Sequence, residues 1–182
     1  MSRKKKYEAL PEIIQGCKQK KRKYQEMLYQ KFAPSLYATC VRYASNSQMA
    51  EDILHDAFVK IFEKINQYQD IGSFEAWMKK ICIYHALELL RRKQKGYVQF
   101  VQEVSNSASI PEDALSKLTE NEIQQAIQKL PTGYRTVFNM YVVDGFLHRE
   151  IAEQLNISES TSKTQLRKAK QYLQKELKHF ER

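Results

Sequence analysis

The sequence predicts an all-α protein built as two small helical domains joined by a flexible linker. Apolar residues recur at helical spacing along almost the whole chain, and no stretch of strict alternation is long enough for a strand. Over residues 96–118 the helical period is lost, and GYVQFVQEVSNSASIPEDALSK gathers Ser, Asn and a proline. The domains are then residues 1–95 and 119–182, with 96–118 between them. A chain of 182 residues divided in this way buries only a modest core in each part.

In the first domain, helices are expected over residues 10–45, broken in two near Gly16 or Pro34, then over 48–67 and 73–94. The segment 48–67 is the cleanest amphipathic helix, with Ala50, Ile53, Leu54, Ala57, Phe58, Ile61, Phe62 and Ile65 in one stripe. At 100° per residue Asp52, Asp56, Val59 and Glu63 fall together on the opposite side, an acidic strip in a basic protein. That strip would repel DNA and fits either a solvated face or a protein-docking surface. The helix 73–94 carries Phe74, Trp77, Met78, Ile81 and Cys82 on one side and ends in the cations Arg91, Arg92, Lys93 and Lys95. These suit the helix dipole and can also hold phosphate. His85 lies within the apolar stripe and reads as a core histidine satisfied by a hydrogen bond, with no chemistry assigned to it.

The second domain opens on a capping box, Thr119 with Glu122, followed by Ile123, Ala126, Ile127 and Leu130 as one apolar face. Pro131 ends that helix. The next carries Tyr134, Val137, Phe138, Tyr141 and Val142, and Gly145 supplies its stop. LHREIAEQLNISESTSKTQLRKAKQYLQKEL then has the layout of a helix-turn-helix. Ile151 and Leu155 anchor its first helix, Ala152 allows close approach, Asn156 takes a left-handed turn, Ile157 plugs the corner and Ser158 caps the second helix. Ser162, Leu166, Ala169 and Leu173 face inward. Ser160, Thr161, Thr164, Arg167, Lys168 and Gln171 face outward, with Lys163 at the flank. A polar, basic helix face of this kind can enter a major groove about 12 Å wide and bond phosphates and base edges.

Composition narrows the function class. Thirty Lys and Arg against twenty-one Asp and Glu leave a formal charge of +9, which points to an anionic partner, nucleic acid first. A membrane surface is less suited, because no run of about 18 apolar residues occurs and MSRKKKYEALPEII lacks a signal peptide's apolar stretch; a cytoplasmic protein is expected. Cys17, Cys40 and Cys82 form no CxxC pair and read as buried free thiols. No HExxH and no glycine-rich phosphate loop occurs, so neither metal, cofactor nor catalytic group is expected.

These motifs together resemble the sigma-70 family, specifically its short extracytoplasmic function group, which keeps two of the family's domains. AEDILHDAFVKIF resembles the polymerase-binding helix, FEAWMKKICIYHALELLRR the helix that follows it, and HREIAEQLNISESTSKTQLRKAKQYL the terminal helix-turn-helix. The resemblance implies a transcription initiation factor, not an enzyme, whose first domain (region 2) clamps the RNA polymerase core at the beta-prime clamp region and melts the minus-ten element. Its second domain (region 4) then reads the minus-thirty-five duplex. By this resemblance Asp52, His55, Asp56 and Val59 face polymerase, and Ser160, Thr161, Lys163, Thr164, Arg167 and Lys168 face the minus-thirty-five DNA. Tyr68, Tyr84, Arg91 and Arg92 handle the minus-ten strand. In the family the loop before the Trp helix captures a flipped base; here it is NQYQDIGSF, where Tyr68 can either stack on a base or serve as packing. An anti-sigma factor is implied by resemblance alone. The chain departs from the family pattern at His55 (commonly Gln), Tyr84 (Asn), Glu88 (Asp), Ser162 (Val) and Gln165 (Arg). The rival reading is a stand-alone helix-turn-helix regulator; a helical nuclease and a basic membrane-surface protein are weaker rivals, having no metal spacing and no unpartnered apolar stripe.

Overall fold

The structure, a computed structural model, describes residues 9–94 and 120–177. These contain α1 (Leu10–Lys18), α2 (Arg22–Tyr43), α3 (Ser47–Lys64), α4 (Phe74–Gln94), α5 (Glu120–Lys129), α6 (Thr132–Phe138), α7 (His148–Leu155) and α8 (Glu159–Leu177), with no strand among the described residues. The fold is all-α, as the hydrophobic spacing predicts. The chain divides into two compact units at Arg91. The expected linker, Lys95 and the Thr119 cap lie outside the described residues.

The long first segment splits near Gly16, one of the two expected places, but the glycine is not what breaks it. α1 ends at Lys18, and Lys20 takes a left-handed conformation (φ 57°). The amides of Lys20 and Lys21 donate back to the carbonyls of Cys17 (2.9 Å) and Gly16 (3.1 Å), closing the helix end. Gly16 is buried inside α1, where a Cβ would overlap the Tyr24 ring of α2. Its function is close helix approach, not termination. Pro34 lies within α2 without ending it: the carbonyl it leaves without a helical partner belongs to exposed Gln30, where water can serve.

α2 packs Leu28, Phe32, Leu36, Cys40 and Tyr43 between α1 and α3. The Asn46 side chain accepts from the Met49 amide (2.8 Å) to start α3, a cap worth about 1 kcal/mol. The predicted α3 stripe is buried from Ala50 to Ile65 apart from half-buried Phe62, and the helix tightens into a 3-10 turn at Ile65–Gln67. Ser73 accepts from the Ala76 amide (3.3 Å) at the start of α4, which buries Phe74, Met78, Cys82, Ile83, Ala86 and Leu87. All three cysteines are buried and free. The Cys40 thiol beside Cys82, together with burial, pushes Cys82 far above the ordinary thiol range, which makes it unreactive.

In the second unit Ala126 of α5 and Leu130 just past its end pack on Ala169 and Leu173 of α8, with Ile127, Tyr134, Phe138 and Leu177 around them. Buried Arg135 of α6 donates to the Gln128 carbonyl (3.1 Å) and side chain (2.9 Å), tying α6 to α5. α6 runs on into a π-helical turn at Asn139–Val143, and Gly145 (φ 75°) then lets the Phe146 amide return to the Met140 carbonyl (2.9 Å). α7 starts with the Leu147 amide donating to the Glu150 carboxylate (2.7 Å).

Two glycines predict different costs. Gly16→Ala should lose about 1–3 kcal/mol because the Tyr24 ring has to move. Gly72→Ala, with φ 75° and open space around it, should lose about 1 kcal/mol from backbone strain alone. Urea denaturation of both variants checks the order, and equal losses would contradict the packing role of Gly16.

Candidate functional site

The outer face of α3 is what its apolar stripe leaves to solvent. Asp52, His55, Asp56 and Glu63 are exposed, and Val59 is 48% exposed, a large apolar side chain set among acids. Gln48 donates to the Asp52 carboxylate at 3.2 Å. Asp56 makes a contact the sequence did not reveal: its Oδ2 lies 3.1 Å from Nε2 of His85 on α4. His85 is buried as expected, and its other nitrogen, Nδ1, lies 2.9 Å from the ammonium of Lys60. Lys60 also pairs with Glu88 (2.9 Å). The unusual Glu88 and the core histidine thus belong to one polar chain joining α3 to α4.

The residues expected at the minus-ten strand separate into two kinds. Tyr84, Arg91 and Arg92 are exposed on α4, with Tyr84 and Arg91 seven residues apart and so on one face. Exposed Lys80 lies one turn before Tyr84 on that face, a cation the sequence reading missed although its i, i+4 spacing pointed to it. Of the two roles open to Tyr68, the structure shows it packed. It is 8% exposed, its ring packs against Phe74 (4.8 Å between centroids) and Trp77 (5.5 Å), and its hydroxyl donates to the Gly72 carbonyl (2.9 Å). Lys18 donates to its carbonyl at 3.3 Å. The apolar surroundings that Phe74 and Trp77 provide draw the ring inward, and Tyr68 thereby shapes the loop behind Ile71, which is 79% exposed. Trp77 stacks on Phe74 (5.5 Å, 24°) as a packing residue.

The helix-turn-helix has the predicted geometry. Asn156 is left-handed (φ 54°, ψ 50°), the Ile157 amide donates to the Ala152 carbonyl (3.0 Å), and Ser158 Oγ accepts from the Thr161 amide (3.0 Å). Ser158 Oγ also bonds the hydroxyls of Ser160 (2.7 Å) and Thr161 (2.8 Å). Ser162, Leu166, Ala169 and Leu173 are buried. Ser160, Lys163, Thr164 and Arg167 are exposed, Thr161 and Lys168 half-buried. Lys163 at the flank is exposed as well, and exposed Lys170 extends the face on that side. Gln165 turns inward, with no hydrogen-bond partner at Oε1. Ser162, where the family commonly has Val, bonds Nδ1 of His148 (2.9 Å), and His148 stacks on Tyr141 (4.3 Å, 21°). This clamp fixes α8 against the first turn of α7.

An acidic face on one helical unit and a helix-turn-helix with a basic outer face on the other have the build of a helical DNA-binding protein. The description "Sigma-70 region 2" matches residues 28–96, and "Sigma-70, region 4" matches residues 120–173. The ECF RNA polymerase sigma factor SigW of Bacillus subtilis is 30% identical over 159 residues, covering 81% of this chain and 85% of SigW. SigE of Mycolicibacterium smegmatis is 26% identical over 154 residues, 80% of this chain and 58% of SigE. Among solved structures, the sigma factor RpoE of Bartonella quintana, crystallised with the anti-sigma factor NepR, shares the fold with TM-score 0.54 at 20% identity, covering 84% of this chain and 96% of that one. The chain belongs to the sigma-70 family as an extracytoplasmic function sigma factor, which directs bacterial RNA polymerase core to promoters for transcription initiation. A stand-alone regulator is not favoured.

Burial, and then the charge of Lys163, hold His148 below the ordinary histidine range, with Glu159 opposing. The unfolded chain takes this proton near pH 6.5, while the folded one resists it. The stability contributed is therefore complete above the unfolded pKa and is lost as pH falls through it toward the folded value. Thermal midpoints should fall more for the wild type than for His148→Gln between about pH 7.5 and about pH 5.5. Parallel profiles would contradict the clamp.

Proposed function

We propose that α3 offers Asp52, His55, Asp56 and Val59 to the beta-prime clamp region of core polymerase, while α8 carries Ser160, Thr161, Lys163, Thr164, Arg167 and Lys168 to the minus-thirty-five duplex. Residues 1–95 act as the core-binding and minus-ten domain, 96–118 as the linker and 119–182 as the duplex reader. Tyr84, Arg91 and Arg92, joined by Lys80, meet the melted strand, and Tyr68 supports them by shaping the loop. The reading rests above all on one observation: in a chain of net charge +9, Asp52, Asp56 and Glu63 all stand exposed around Val59 on α3. Acids there repel phosphate and suit a basic protein surface, and Val59 supplies an apolar centre. On α8 Lys163, Arg167 and Lys170 stand exposed, and such cations release counterions from DNA.

Acting in this way the protein works by binding alone, with no catalytic group of its own, in the bacterial cytoplasm where core polymerase works. Among the described residues no helix is long and apolar enough to cross a membrane. A further partner is an anti-sigma factor, by analogy with the Bartonella quintana protein crystallised with NepR.

Asp56→Arg should abolish capture by immobilised core polymerase through charge reversal, and undiminished capture would remove α3 from that interface. Arg167→Ala should leave core capture unchanged, weaken promoter-specific run-off transcription, and lower the slope of log affinity against log salt by about one. Equal loss of core capture and transcription would contradict the assignment of α8.

A further inference from the structure

The chain from Asp56 through His85 and Lys60 to Glu88 ties an exposed carboxylate to a buried ring. Lysine ammonium only donates, so its 2.9 Å contact to His85 Nδ1 makes that nitrogen the acceptor. The ring proton then sits on Nε2 and is donated to Asp56 Oδ2 at 3.1 Å. Lys60 is held in turn by Glu88 at 2.9 Å, whereas Glu88 stands 3.7 Å from the same ring nitrogen, too far for a direct bond. The His85 side chain is 7% exposed and locked by α4 packing, while that of Asp56 is 54% exposed. One carboxylate oxygen is thus pinned from inside the domain, and the group is still open to a partner from outside.

We propose that His85 is a positioning residue for core polymerase binding: oriented by Lys60, it holds the Asp56 carboxylate in one orientation on the outer face of α3. This inference rests on the reading of α3 as the polymerase face. A short surface carboxylate otherwise samples several rotamers and gives up that freedom when a cation docks. Holding it in advance reduces the cost of association. The same logic accounts for two features of the sequence at once, a histidine in an apolar stripe and a glutamate where the family commonly has Asp.

The test is a set of double-mutant cycles in the full chain, measuring affinity for core polymerase together with thermal midpoint. His85→Leu fills the site without hydrogen bonds and should weaken core binding about five- to tenfold with little change in midpoint. His85→Gln keeps one donor and one acceptor and should stay within about twofold of wild type. Lys60→Met, at a partly exposed position, should give a smaller loss and decides the matter if His85→Leu unfolds. In an Asp56→Ala background, where no oxygen remains for His85 to orient, both losses should vanish. Losses of the same size in that background, or no loss while Asp56→Ala itself weakens binding, would overturn the positioning role. If Asp56→Ala binds core as wild type does, α3 is not the polymerase face, and the positioning role falls with it.

Discussion

A helix buried along one stripe must place its remaining side chains in water, and in α3 those side chains are acids around an exposed valine. The apolar stripe from Ala50 to Ile61 fixes the rotation of the helix, so the direction in which Asp52, Asp56 and Val59 point follows from packing. The same constraint acts on α8, where buried Ser162, Leu166, Ala169 and Leu173 leave Lys163, Thr164 and Arg167 outside. Surfaces of opposite sign thus sit on different units of one small protein. Each sign repels the other surface's partner, because acids do not approach phosphate and a basic helix does not approach a basic protein surface. The proposed division of labour between polymerase and promoter would in this sense follow from which stripe each helix buries.

Much of this was legible because single residue types answer single local demands. Asn156 tolerates a left-handed turn, Ser158 caps, and Gly145 reverses the chain, and each is found in that conformation. Features decided by three-dimensional packing were not legible. The break after α1 uses a left-handed lysine, Lys20, while the glycine that suggested a break is spent on the approach of Tyr24. Tyr68 could have turned either way from its loop; the rings of Phe74 and Trp77 decide it. The π-helical turn at Asn139–Val143 leaves no mark in hydrophobic spacing.

The departures from the family pattern make physical sense as pairs across helices. Ser162 places a hydroxyl where an apolar side chain is common, and it is tolerated at a buried position because His148 of α7 supplies its partner. Glu88 reaches Lys60, and Lys60 in turn orients His85. A buried polar group without such a partner would cost its desolvation, so these residues have to be judged together. No spacing rule along one helix could have joined His85 to Asp56, which are 29 positions apart.

The separation of surfaces is tested most directly by photo-cross-linking in the assembled initiation complex, with a photoreactive side chain placed at Val59 or at Thr164. Position 59 should capture polymerase protein and no DNA, and position 164 should capture duplex DNA upstream of the melted region. Capture of DNA from position 59, or of polymerase alone from position 164, would contradict that separation.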